Sequence, residues 1–170
     1  TACAGGNLAR KNDMAAYAVD DGHINAPTCY HCPYHKTCET CNFECANELE
    51  DALINRGPSN YAAFLMEPIG GTTTAAMTPP EGYFKRIKEI CDKYDLLIIA
   101  DEVLAGYGRA GKPMSIDWFG IQPDIASLAK CISGGYFPVG AVAVNKRISE
   151  AFQKVGHYYA GFTWAGNTIA

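Results

Sequence analysis

The sequence predicts an α/β fold with a mostly parallel central sheet flanked by helices. Three observations carry this. Short apolar runs recur at 61–66, 96–100, 125–128 and 139–144, as strands covered by other layers do. Between the first two, Tyr83, Phe84, Ile87, Ile90, Cys91 and Tyr94 recur at spacings of three and four, the signature of a one-sided helix. The resulting strand–helix–strand alternation favours parallel pairing.

The elements follow in order. Residues 1–60 read as an irregular, cysteine-rich part, and 61–170 as the core of the domain. Asp20-Asp21-Gly22 and Asn25-Ala-Pro27 are turn signals. A helix is predicted over 47–54, with Leu49, Leu53 and Ile54 apolar and Gly57-Pro58 ending it. The run at 61–66 is the first strand. Pro79-Pro80-Glu81 supplies proline and acid for a helix start. The runs at 96–100, 125–128 and 139–144 are the remaining strands, and a closing helix is predicted over about 146–155. No internal repeat or low-complexity segment is visible.

Composition excludes several classes. The 170 residues are 48% hydrophobic and 19% charged, a globular balance rather than a disordered one. With a net charge of −4 and no basic cluster, neither nucleic acid nor an anionic membrane is an expected partner. No apolar stretch approaches the ~20 residues that span a bilayer. The expected location is cytoplasmic. The chain opens on Thr1 with no secretory pattern, and we expect it to be a segment of a longer polypeptide.

Five of the eight cysteines, Cys29, Cys32, Cys38, Cys41 and Cys45, crowd one stretch together with His31 and His35. Paired Cys-x2-Cys hooks suit tetrahedral zinc. The interval between these hooks is much shorter than the ~15–20 residues of common zinc ribbons. Reduced thiols in an irregular segment are the favoured reading, and no metal is assigned. A small zinc-binding module remains the alternative.

The chemistry lies at the strand ends, where open α/β sheets bind ligands. Glu67, Asp101 and Lys130 each fall at or just after such an end. Leaving an ammonium unpaired in a dry interior costs several kcal/mol, so a lysine after a buried strand invites a functional reading. Desolvation there lowers a lysine's pKa and makes it nucleophilic. Such an amine can form a Schiff base with an aldehyde, and Ser133-Gly134-Gly135 lets backbone approach a bulky ligand. A strand-end carboxylate can cap the next segment, or it can hold a ring nitrogen protonated. Together, the acid and the lysine are what pyridoxal 5′-phosphate chemistry requires.

The run Ile98-Ile-Ala-Asp101-Glu-Val-Leu-Ala-Gly106-Tyr-Gly108-Arg109-Ala-Gly111-Lys resembles the signature of class III pyridoxal-phosphate-dependent aminotransferases. Pro123-Asp124-Ile-Ala-Ser-Leu-Ala-Lys130, Gly134-Gly135-Tyr-Phe-Pro138-Val-Gly140 and Phe162-Thr163-Trp-Ala-Gly166-Asn167 are similar to its further motifs, as are Glu67-Pro68-Ile69 and Pro79-Pro80-Glu-Gly-Tyr83. The resemblance runs from about residue 61 to 170 in consistent order.

It implies the large domain of a fold type I transferase, present in part. Lys130 would carry the cofactor as an internal aldimine and shuttle protons. Asp101 would pair with the pyridine nitrogen, Val103 would pack on the ring, and Glu67 would lie on the substrate side. Thr163 would reach the cofactor phosphate of a neighbouring subunit, which implies a homodimer or larger homo-oligomer. The implied reaction moves an amino group from a primary amine or ω-amino acid to a 2-oxo acid. Decarboxylases, racemases and aminomutases share the same core, and an inactive truncated product is a further alternative. Thr168 stands where the family usually has proline. The phosphate loop belongs upstream of residue 1 and the small domain beyond Ala170. His157 reads as a loop residue.

Overall fold

The computed structural model describes residues 4–7, 11–17, 22–156, 161–163 and 165–168. Its centre is a four-stranded sheet in the order β1-β2-β3-β4, built from Ala63–Met66, Leu97–Asp101, Ile125–Leu128 and Ala141–Val144. β1, β2 and β3 are parallel, and β4 runs antiparallel to β3. The reversal has a simple cause. Residues 129–140 contain one short 3-10 turn over Lys130–Ser133 and no helix, so the chain has no crossover with which to return in parallel.

Two helices cover the sheet's first half. Helix α1, Glu44–Arg56, buries Ala46, Leu49 and Leu53. It is longer at both ends than the predicted 47–54, and Gly57 ends it at a positive φ of 85°. Helix α2, Tyr83–Lys93, supplies the crossover between β1 and β2 and buries Tyr83, Phe84, Ile87, Ile90 and Cys91, as the spacing predicts. It starts after Pro79-Pro80-Glu81, not on it. Gly82 stands in the left-handed region at φ 89°, which breaks the helical path. That position also needs glycine for space, because a Cβ there would lie 2.7 Å from the Phe43 ring. The core joins these helix faces to Ile98, Ala100, Ile116 and Ile121.

Helix α3, Lys146–Val155, falls at its predicted place, and the Asn145 side chain caps it by accepting from the Ile148 N–H at 3.0 Å. Asp124 ties three strands together. Its Oδ2 accepts from the Ile98 N–H at 2.8 Å and its Oδ1 accepts from Asn145 Nδ2 at 2.6 Å.

The sequence predicts strands covered on both faces, and the sheet departs from this. Only Ile98 and Ala100 of β2 and Ala126 of β3 are buried strand residues, and all four residues of β4 are exposed. The reason is that α1 and α2 pack over the β1–β2 half, while α3 adds no buried residue.

Candidate functional site

Asp101 ends β2 and is register-paired with Ser127 of β3. Its Oδ1 accepts two hydrogen bonds, from the Val103 N–H at 3.0 Å and from Ser127 Oγ at 3.1 Å. Among the described residues its Oδ2 has no hydrogen-bond partner. The side chain is half-buried and faces a cavity of about 770 Å³. Glu67, Phe64, Met66, Gly70 and Thr73 share that cavity. The volume is in the range that holds a cofactor-sized molecule.

Glu67 follows β1. Its Oε2 accepts from the Gly71 N–H at 2.8 Å, and a Cβ at Gly71 would lie 2.5 Å from its other oxygen. Glycine at 71 therefore lets the backbone close under the carboxylate. Val103 is half-buried, and its N–H is the one spent on Asp101.

Lys130 lies just past β3 and opens the 3-10 turn Lys130–Ser133. Its backbone is left-handed at φ 50°, an uncommon state for a residue with a side chain. Such outliers concentrate at functional sites. Gly134 and Gly135 follow at φ 61° and 83°, and a Cβ at Gly135 would meet nothing within 4 Å. The Ser133 hydroxyl donates to the Lys130 carbonyl at 3.2 Å and accepts from the Gly135 N–H at 3.2 Å, which fixes the turn. The burial expected around Lys130 is not supplied by the described residues: its side chain is exposed and its amine makes no hydrogen bond or ion pair among them.

The structure thus brings Asp101 and Glu67 to one cavity and sets Lys130 one strand away, outside the cavity lining. Thr163 lies in an exposed turn, also outside that lining. His157 falls outside the described residues.

Sequence reasoning missed Glu102. Alternation along β2 turns this side chain away from Asp101, and it is 1% exposed. Its carboxylate is fully occupied. Oε2 accepts from the Ser115 N–H at 2.9 Å and Ser115 Oγ at 2.7 Å, and Oε1 accepts from the Ile116 N–H at 2.8 Å. It thereby pins the loop carrying Val103 to the 3-10 turn Ser115–Phe119. The available signal was a second acid directly after a strand-end acid, which strand geometry sends to the opposite face.

In the cysteine stretch, burial foremost, then the hydrogen bond to Cys38 and the neighbouring thiols, pushes Cys29 up to about 12. Burial pushes Cys45 up to about 11. These groups are neutral thiols at physiological pH. Among the described residues no three His, Cys, Asp or Glu side chains are gathered so as to hold a metal ion.

Three features of these residues suit a pyridine aldehyde. A carboxylate with one oxygen held and one unpartnered suits a protonated ring nitrogen. An amine at the end of the next strand suits the aldehyde. Open glycines beside that amine suit a bulky ring.

Comparison with known proteins agrees. The family "Aminotransferase class-III" matches residues 7–170. Gamma aminobutyrate transaminase 2 of Solanum lycopersicum is 41% identical over 145 residues, 83% of this chain and 31% of the relative. Putrescine–pyruvate aminotransferase of Pseudomonas aeruginosa is 41% identical over 125 residues, 74% of this chain and 27% of the relative. The omega transaminase of Pseudomonas jessenii, solved in complex with PMP, superposes with a TM-score of 0.85 at 33% identity, over 96% of this chain and 37% of that one. The chain therefore spans about a third of the length of its relatives.

The sheet, its flanking helices and these likenesses define the class: this is an α/β portion of a fold type I transferase. The chain belongs to the class III aminotransferase family, whose members are transferases of nitrogenous groups dependent on pyridoxal phosphate.

Proposed function

We propose that the protein carrying this chain transfers an amino group from a primary amine or ω-amino acid to a 2-oxo acid, using pyridoxal 5′-phosphate. The observation that carries this reading is the half-occupied Asp101 carboxylate, facing a large cavity one strand away from Lys130. The names of the relatives, which include gamma-aminobutyrate and putrescine–pyruvate transaminases, support the amine class.

When bound, the cofactor supplies an aldehyde that captures amines and a protonated ring that accepts an electron pair. The remaining work falls to this chain. Asp101 Oδ2 would hold the proton on the ring nitrogen and favour negative charge there electrostatically. Lys130 Nζ would be the amine that binds the aldehyde, and it would take the proton from the substrate carbon and return it, as base and then acid. Val103 packs against the ring, and Glu67 faces the substrate. Thr163, exposed here, donates to the cofactor phosphate of a second subunit, so the working unit is a homodimer or larger. Among the described residues no helix is long and apolar enough to cross a membrane.

The test is amine-dependent consumption of a 2-oxo acid, coupled to borohydride fixation of the cofactor and peptide mapping. Label on Lys130 is expected. Label on Lys112 or Lys146 instead would overturn the assignment.

A further inference from the structure

We propose that Ser127 is a positioning residue for Asp101, setting its carboxylate before any ring is bound. This rests on the aminotransferase reading and deepens it.

Four observations converge on Ser127. It is the register partner of Asp101, so the two side chains stand on the same face of adjacent strands. Its hydroxyl donates to Asp101 Oδ1 at 3.1 Å. Its carbonyl accepts from the Glu102 N–H at 3.0 Å, so it also holds the backbone just past β2. It stands three residues before Lys130, on the strand that delivers the amine.

The consequence is directional. The Ser127 hydroxyl and the Val103 N–H take up Oδ1 together, which fixes the plane of the carboxylate and presents Oδ2. The second donor is itself anchored, because the Glu102 contacts to Ser115 and Ile116 hold the loop after it. A carboxylate fixed in advance loses little conformational freedom when a ring nitrogen arrives, which is the energetic content of preorganisation. The hydroxyl needs no contact with the cofactor to do this. It acts through Asp101.

The test compares two ring compounds in the protein carrying this chain. The first is 4-deoxypyridoxine 5′-phosphate, which has no aldehyde and so cannot bond to Lys130. The second is its 1-deaza counterpart, in which the ring nitrogen is CH and the Asp101 contact is gone. Ser127→Ala should weaken binding of the first about 3- to 10-fold, the worth of one hydrogen bond. Ser127→Thr keeps the hydroxyl and should restore it. For the deaza compound, wild type and Ser127→Ala should bind alike. Equal binding of the first compound by wild type and Ser127→Ala overturns the proposal. So does an equal loss with both compounds, which would mean general loosening of the pocket. Wild type that binds neither compound overturns the aminotransferase reading itself, and this inference with it.

Discussion

The two halves of the sheet are built on different terms. Among the described residues, every buried residue lies between Ala46 and Ala126, on α1, α2, the strands β2 and β3 and the segments joining the elements. From Ser127 onward none is buried, and Val142 of β4 is 68% exposed. Asp101 belongs to the first half and Lys130 to the second. The acid is held by two donors of its own chain, whereas the lysine amine makes no hydrogen bond or ion pair among the described residues. The acid is therefore set by local packing, and the lysine is not.

The largest test bears on the uncovered half. On the proposed function, in which Lys130 would both hold the aldehyde and move the proton, Lys130→Ala should reduce amine transfer about 10³-fold or more. Single-turnover kinetics with added free amines would check this. Near-normal turnover would place the chemistry elsewhere.

Asp101 tests the built half. Asp101→Asn keeps the shape and the two donor contacts at Oδ1 but loses the charge that, on the proposed function, would hold a ring proton. A drop in kcat of about 10²–10³, with cofactor still bound, is expected, on the scale of other preorganised groups. Steady-state kinetics with cofactor absorbance on the same samples gives both numbers. Unchanged kcat would remove Asp101 from the site.

The contrast between the halves also explains what the sequence could and could not disclose. α2, β2 and β3 were legible because their apolar spacing reflects burial they achieve within this chain. The strand-end positions of Asp101 and Lys130 were legible for the same reason. The start of α2 was misread, because prolines at 79 and 80 resemble a helix opening while Gly82 in the left-handed region cancels it. The exposure of β4 was not legible, because Ala141-Val-Ala-Val144 reads the same whether or not another chain covers it. The exposure of Lys130 was hidden for the same reason. Glu102 was hidden by a different one: its role depends on Ser115 and Ile116, which a loop folds back to meet it.

That network yields a stability prediction with no counterpart on the second half. Glu102→Ala would leave two buried backbone donors and one buried hydroxyl unmatched. A loss of about 2–4 kcal/mol is expected. Denaturant unfolding checks it, and a loss under about 1 kcal/mol would show that water reaches Ser115. By contrast, Val142→Lys on the exposed edge strand should leave unfolding within about 0.5 kcal/mol of wild type. It should also reduce self-association of the 170-residue chain, because a charge on an exposed edge discourages strand pairing. Sedimentation of both proteins reads the association. A large stability loss would mean that β4 is already covered.

The smallest effect lies between the two helices of the buried half. Glu50 of α1 accepts from Lys93 and from Arg86 at 2.7 Å, both on α2, and from the Tyr94 hydroxyl at 3.2 Å. The Lys93 hydrogen bond foremost holds the Glu50 carboxyl below its usual value of 4.5. A lowered folded-state pKa stabilises above the unfolded value and loses that contribution as pH falls through the folded one. Glu50→Gln should therefore reduce stability at pH 7, and with it the melting temperature, by no more than the ~0.2–1 kcal/mol typical of solvent-screened ion pairs. The difference from wild type should begin to shrink near pH 4.5 and vanish below it, as the wild-type carboxylate also takes up its proton. Salt should shrink it too, since the Lys93 partner is exposed to solvent. Thermal melts of both proteins across that pH range decide the matter: a difference that stays constant with pH would mean that the contribution of Glu50 is packing, not charge.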